Sequence, residues 1–241
     1  MGGRASKQTS PLQTNKKSLR IVEPIRDKGL NGSNRIESAY FTKIINNESP
    51  LIRLDHSEQP LSIRIHGKHY DYTLKYVYAS QRGYYPDDPD KANQDSYLIC
   101  EKILSNQSCN MFGIFDGHGS DGDKCSYFAA DELPDALIKL LNKKGGLDTM
   151  DGAKMQEVYS KAFVETNKQL HNSTVEDSLS GTTAVTILQK GDRLMVANVG
   201  DSRAIIACVD DKGQLVYRPL SSDQTPYRKD ERERLKKAVS D

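Results

Sequence analysis

No stretch of this sequence approaches the ~18 consecutive apolar residues that a membrane-spanning helix needs. Cysteine is scarce. Cys100, Cys109, Cys125 and Cys208 form no C-x-x-C pair and no Cys/His cluster, and no secretory signal precedes them. That spacing argues against a zinc site or a disulfide framework and for free thiols in a reducing compartment. Charge of one sign is not in excess either. The formal net charge is +1, so no global basic footprint points to nucleic acid as a partner. The expectation is an intracellular, soluble, cytoplasmic protein, apart from its first residues. At 241 residues the chain suits one domain plus an appendage, by the soft prior of ~150 residues per domain.

What is present begins with a basic, polar segment. Residues 1–20 hold Arg4, Lys7, Lys16, Lys17 and Arg20 with no acid and few apolar residues, a composition that favours disorder. Met1-Gly2-Gly3-Arg4-Ala5-Ser6 fits the M-G-x-x-x-[ST] pattern of N-myristoylation at Gly2. One acyl chain gives marginal binding and basic residues add attraction to an anionic leaflet, so reversible membrane association is expected. Residues 21–69 alternate weak apolar patches with Asn, Gly and Ser and are expected to be a mostly irregular extension. The domain is therefore placed at 70–241, after an N-terminal extension at 1–69.

Within the domain, residues 73–79, 96–100 and 111–116 have the β-branched and aromatic content of strands, with a loop at 103–110. Cys125, Phe128, Ala129, Leu133, Leu137 and Leu140 recur at helical spacing, with Pro134 expected to kink or restart that helix. Gly145-Gly146 ends it. Met155, Val158, Tyr159, Ala162, Phe163 and Leu170 mark a second helix of the same kind. Two consecutive helices with apolar faces imply a sheet beneath them. Strands follow at 182–188, 194–199 and 204–209. The turns at Gly191-Asp192 and 211–213 make them antiparallel, and a charged helix at 229–239 closes the chain.

The stretch around which the rest is organised is MFGIFDGHGSDG, residues 111–122. An apolar strand ends at Asp116, and Gly117, Gly119 and Gly122 bracket His118, Ser120 and Asp121. A carboxylate at a strand end, followed by a loop that brings backbone carbonyls close, suits a hard cation. His118 adds a group that exchanges a proton near neutral pH. Residues 117–122 also match G-x-G-x-x-G. Two acids would face an incoming pyrophosphate, and a helix rather than a strand follows the first helix, so a dinucleotide site is rejected. Asp95, Asp116 and Asp201 stand at comparable strand ends. Taken singly, each also reads as an ordinary turn aspartate; gathered together, like charges would need a cation.

The set SQRGYY…KANQDSY (80–97), FGIFDGHG (112–119), SGTTAV (180–185), VANVGDSRA (196–204) and PLSSDQTPYRKDERERL (219–235) closely resembles the PPM, or PP2C-type, metal-dependent serine/threonine protein phosphatases, in wording most like plant, algal and protist members. The resemblance spans roughly residues 72–241. It implies an α+β fold, an αββα sandwich of two antiparallel sheets flanked by helix pairs, with two Mn²⁺ or Mg²⁺ ions at one end and a third, weaker one. It implies phosphoprotein substrates and a monomer. By that resemblance Asp95 and Asp116 match metal-binding aspartates, Gly117 the glycine whose carbonyl faces a metal, and Asp201 the aspartate of the third metal. Arg82 matches the arginine that clamps the phosphate and His118 the proposed general acid. Read without the motif, His118 is better taken as a hydrogen-bonded structural histidine, and the alternative for Arg82 is a surface ion-pair residue.

Two departures stand out. Gln94 stands where many members carry an acid, and is not counted as a direct ligand. Gln224 replaces the histidine of LS-x-DH-x-P. Members of the family also continue with further strands and two more metal-binding aspartates, so the expectation is a domain missing its C-terminal part and a poorly active, marginally stable product. Two readings follow: a phosphatase of which this is a fragment, or a catalytically inactive variant that binds phosphoproteins or a regulator.

Overall fold

The computed structural model describes residues 26–28, 34–36, 54–105, 108–147 and 150–240. Gly2 and the basic residues up to Arg20 lie outside the described residues. Four segments from the expected N-terminal extension are strands, the first three being β1 (Arg26–Lys28), β2 (Asn34–Ile36) and β3 (Leu54–His56). β4 (Leu61–His66) pairs antiparallel with β5 (Asp71–Tyr76), across the boundary that composition placed at residue 70. The strand expected over 73–79 divides into β5 and β6 (Ala79–Gln81). It breaks where the Tyr78 ring turns in against Tyr97, with centroids 4.6 Å apart.

The main sheet forms around β7 (Asp95–Glu101) and β8 (Cys109–His118), followed by β9 (Gly181–Thr182), β10 (Ala184–Lys190) and β11 (Arg193–Val199). Its order is β1-β2-β7-β8-β10-β11, with β9 alongside the far end of β8, and every pairing is antiparallel. β7 is buried from Ser96 to Glu101 and reads as a continuous apolar run because both of its faces are covered. β8 alternates. Met111, Gly113, Phe115 and Gly117 are buried, while Ile114, Asp116 and His118 point to the opposite, more open face.

Helix α1 (Gly122–Lys143) and helix α2 (Gly152–His171) cover the first face. Leu133, Leu137 and Leu141 of α1 and Val158 and Ala162 of α2 close a core with Leu98, Cys100, Met111, Phe115 and Leu188. Pro134 does not break α1, which runs through it as one helix with the proline buried; burial of the apolar stripe outweighs the missing backbone donor. Gly145 and Gly146 take φ of +88° and +89°, and the Gly146 amide caps the Leu141 carbonyl, as a glycine stop requires. The Asp151 carboxylate opens α2 by accepting from the Lys154 amide.

On the second face Tyr97 and Ile99 meet Tyr78, with Leu61, Tyr76 and Phe112 against them. This layer consists of two-stranded ladders, β3-β6, β4-β5 and the hairpin of β12 (Ile205–Val209) with β13 (Leu215–Pro219). Helix α3 (Lys229–Ser240) follows. The α+β expectation of antiparallel strands and helices holds, with the second layer divided among three ladders. Among the described residues no helix is long and apolar enough to cross a membrane.

A buried polar knot fixes the end of the sheet opposite the glycine loop. Asn110 and Gln189 are paired across β8 and β10, and Asn110 Nδ2 donates to Gln189 Oε1 at 2.7 Å. Asn110 Oδ1 accepts from the Lys102 amide, while Gln189 Nε2 donates to the Gly191 carbonyl. Asn110→Ala strips two buried partners at once. The expected loss is about 2–4 kcal/mol, the desolvation cost of the groups left behind. It will be seen as a lower urea midpoint with unchanged slope.

Candidate metal centre

The antiparallel register of β7 and β8 sets Asp95 directly opposite Asp116. Cross-strand partners point to the same face with their β-carbons about 5 Å apart, so two carboxylates share one spot at the exposed end of the ladder. Loss of hydration raises the Asp95 carboxyl above its ordinary value, and the neighbouring Asp116 charge and a hydrogen bond between the two raise it further. Like charges directly opposite each other are unfavourable in a sheet. Both are hard oxygen donors, the type that Mg²⁺ and Mn²⁺ prefer.

β8 does not stop at Asp116, where the apolar run ends. It continues through Gly117 and His118, because β9 supplies partners: Gly117 lies opposite Thr182 and His118 opposite Gly181. Gly117 admits no side chain, since a β-carbon would sit 2.0 Å from the Gly122 carbonyl oxygen and 2.5 Å from that of Gln94. The His118 ring packs over Gly181, where an added β-carbon would lie 3.1 Å from Cε1 and Nε2. Gly119 turns the chain at φ +88°. Asp121 precedes the following helix without a side-chain cap bond to it; its carboxylate accepts from Lys124 at 2.9 Å, which holds its pKa below the ordinary value.

The loop is clasped from two sides, by Gln94, which the sequence marked only as a departure, and by Ser180 and Thr183, which it did not single out. The Gln94 carbonyl accepts from the Gly117 amide at 3.1 Å and from the Ser126 hydroxyl at 2.6 Å. Its side-chain amide donates to the Gly119 carbonyl at 2.6 Å. On the other side Ser180 Oγ accepts from the Asp121 amide at 3.0 Å. The Thr183 amide donates to the Asp116 carbonyl, and its hydroxyl accepts from the Asp116 amide at 3.0 Å. The only advance signal for the second clasp was the SGTTAV motif as a block.

Thr183 also reaches the turn that carries Asp201. Its hydroxyl lies 2.5 Å from that of Ser202, and Gly200, at φ +99°, leaves the room its methyl group needs. Gln224 closes the turn from below: its Oε1 accepts from the Gly200 amide at 3.0 Å and its backbone amide donates to the Gly200 carbonyl. Arg203 grips Asp223 in a bidentate pair at 2.8 and 2.6 Å. Gln224 thus holds a structural position.

The structure therefore sets Asp95 of β7 opposite Asp116 of β8 at the end of that ladder, with Gly117 and His118 next along β8. Asp201 is attached to them through Thr183 and Ser202 but does not join a common ligand cluster. Among the described residues no three His, Cys, Asp or Glu side chains are grouped to hold a metal. Arg82 follows β6, whose Ser80 accepts from Asn93 Nδ2, while Asn93 Oδ1 accepts from the Asp95 amide. The Arg82 guanidinium is buried rather than on the surface. One of its amino groups donates to the Pro89 and Lys91 carbonyls at 2.5 and 2.8 Å, and its Nε is buried with no partner. A buried arginine with an unused donor is equipped to receive an anion.

Comparison with known proteins gives this arrangement a family. Residues 89–241 match the family described as Protein phosphatase 2C. The chain is 44% identical over 180 residues to "Probable protein phosphatase 2C 35" of Arabidopsis thaliana, covering 74% of this chain and 49% of that protein. It is 34% identical over 154 residues to "Probable protein phosphatase 2C 34" of the same plant, covering 59% and 42%. The chain thus spans about half the length of the curated relatives it matches. Among solved structures it is similar to a serine-threonine phosphatase 2C from Toxoplasma gondii, with 20% identity, a TM-score of 0.49 and coverage of 60% and 49%. With the family profile matched over more than half of its residues, this chain belongs to the protein phosphatase 2C family.

Proposed function

We propose that the chain carries part of the catalytic centre of a metal-dependent protein serine/threonine phosphatase, acting on phosphoserine and phosphothreonine in proteins. The observation that carries this reading is the Asp95–Asp116 pairing. Two carboxylates are held face to face on a rigid ladder, at a cost to the folded chain that a bound cation would offset. The donor set fits hard divalent ions of the Mn²⁺ or Mg²⁺ kind. Asp95, Asp116 and the Gly117 carbonyl would hold them, and Asp201 would serve a weaker peripheral site. When bound, such ions neutralise a phosphate ester and lower the pKa of water so that hydroxide is available near neutral pH.

The chain's own residues supply the rest. Arg82, whose guanidinium is held by the Pro89 and Lys91 carbonyls, is the residue assigned to binding the phosphate. His118, exposed at the end of β8 and seated on Gly181, gives a proton to the departing seryl or threonyl oxygen. Gly2 is the candidate acceptor for a myristoyl group, supported by the M-G-x-x-x-[ST] pattern and the basic residues behind it; mass spectrometry of the N-terminal peptide from a eukaryotic host tests it.

Asp116→Asn separates the metal reading from a structural one, because its effect on stability changes sign with the metal. In EDTA the variant removes a like charge opposite Asp95. Such a pair costs about 1 kcal/mol at ~4 Å in water, so its melting temperature rises by about 2–4 °C. In millimolar Mn²⁺ the wild-type chain gains stability by ligand binding, the variant does not, and the order reverses. A variant less stable than wild type under both conditions overturns the reading.

The pH dependence follows from the same pair. The folded-state pKa of Asp95 lies above its unfolded value. The neutral acid is therefore favoured by folding, and stability is lost as pH rises from the ordinary aspartate value through the raised one. Metal-free Asp95→Asn is expected to lack this decline, measured by melting temperature in EDTA from pH 3.5 upward. Arg82→Ala is expected to raise KM for a phosphopeptide about tenfold or more while changing kcat little, as loss of a charge-assisted hydrogen bond predicts.

A further inference from the structure

The structure assigns to Gln224 the role of positioning residue for Asp201: it holds both backbone groups of the preceding glycine, so that the carboxylate is presented at one place. The inference rests on the reading of Asp201 as the holder of a weaker, peripheral cation, and it names what keeps that carboxylate in position. β11 ends at Val199 and β12 begins at Ile205, so residues 200–204 cross from the main sheet to the second layer outside any ladder. Connections of this kind move more than the strands they join. Here every residue of the crossing but one is bonded. Gln224 Oε1 accepts from the Gly200 amide at 3.0 Å, and the Gln224 backbone amide donates to the Gly200 carbonyl at 2.9 Å. The Ser202 hydroxyl meets that of Thr183, Arg203 grips Asp223, and the Ala204 amide donates to Ser221 Oγ at 2.9 Å. The exception is Asp201, which is exposed and whose carboxylate takes no hydrogen bond or ion pair among the described residues.

Gly200 is the joint on which Asp201 turns. Its φ of +99° is a conformation that glycine adopts freely. A β-carbon there would lie 2.7 Å from Thr183 Cγ2, so packing against Thr183 closes one side of the joint. The peptide planes on either side of Gly200 are fixed by hydrogen bonds instead, and both of those bonds go to Gln224. Asn198 Nδ2 reinforces the joint, donating to the Gly200 carbonyl at 3.1 Å and to the Ser222 carbonyl at 3.2 Å. The segment that carries Gln224 is tethered in turn. An Arg228 amino group donates to the Asp223 carbonyl at 2.9 Å, and Arg232 of α3 donates to the Pro226 and Tyr227 carbonyls. A neutral side chain suits this task. It offers the Gly200 amide an acceptor without setting a second carboxylate beside Asp201, and so does not compete for the cation. The effect of Gln224 on a bound ion is indirect, through the backbone of the turn.

The test compares the full 241-residue chain with three variants. Gln224→Met keeps the length and removes the acceptor. Gln224→His, studied at about pH 8, supplies an acceptor nitrogen again, because the ring is then neutral. Asp201→Asn removes the carboxylate itself. Two readouts are taken: amide hydrogen exchange over residues 200–203, and Mn²⁺ binding followed by electron paramagnetic resonance of the free ion. Gln224→Met is expected to exchange about fivefold to tenfold faster in the turn, the loss of one hydrogen bond, with exchange in β7 and β8 unchanged. Its weaker Mn²⁺ is expected to bind about tenfold less tightly, the cost of losing a group that orients a ligand, while its tighter Mn²⁺ is unaffected. Gln224→His is expected to restore both. Turn exchange in Gln224→Met equal to wild type would overturn the inference. So would faster exchange with weaker Mn²⁺ binding unchanged, in a chain whose weaker site is lost in Asp201→Asn. A Gln224→His chain no better than Gln224→Met would overturn it too, since an acceptor would then not be what holds Gly200. Weaker Mn²⁺ binding that is absent from wild type, or unmoved by Asp201→Asn, would instead defeat the reading of Asp201, and the exchange comparison would still accept or reject the hold on the turn.

Discussion

Two aspartates opposite each other on neighbouring strands are an arrangement that an antiparallel sheet ordinarily avoids, since their charges repel across a few ångströms of the pleat. Here the surrounding structure holds them there. β7 is buried on both faces and cannot slip: a shift of one residue would turn Leu98 and Cys100 out of the core and Tyr97 and Ile99 into it. The register that aligns these apolar rows is the one that aligns Asp95 with Asp116. The helices on the first face and the tyrosines on the second thus hold an electrostatic conflict in place at the sheet's open end. The glycine loop, Thr183 and the Asp201 turn are all arranged around it.

Much of this was legible in the sequence, for identifiable reasons. Strands and amphipathic helices with strong periodicity were found close to their positions, because burial dictates both the pattern and the element. The residues brought together at the strand end, Asp95, Asp116, Gly117 and His118, came from motif resemblance and from the abrupt change of chemistry after Phe115. What was illegible depended on partners distant in the chain. The extension of β8 through His118 needs β9, whose residues are found at 181 and 182. The inclusion of residues before 70 in the fold depends on β2 pairing with β7 and β3 with β6, and those strands are only three residues long. Pro134 misled because a local rule about backbone donors was outweighed by the apolar stripe it belongs to.

The polar residues that hold the site were the hardest to find. Gln94, Ser126, Ser180 and Thr183 carry no charge and follow no periodicity, and each acts through one or two hydrogen bonds to backbone. Their importance is visible only once it is known which carbonyl or amide they meet. Arg82 shows the same limit in reverse. Its type suggested an anion, but not that its guanidinium would be buried and tied to the carbonyls of its own following loop.

The separation of the bonding partners along the chain also orders the assembly of the site in time. Asp95 and Asp116 lie on adjacent strands joined by a short connection, and a small loop closes at little entropic cost. Thr183, which satisfies the Asp116 amide, is 67 residues further on, beyond both helices. The carboxylates therefore confront each other as soon as the first hairpin zips, before the second clasp is in reach. Acidity or a divalent cation in a refolding buffer would act on that early hairpin, and so on the rate at which the chain folds.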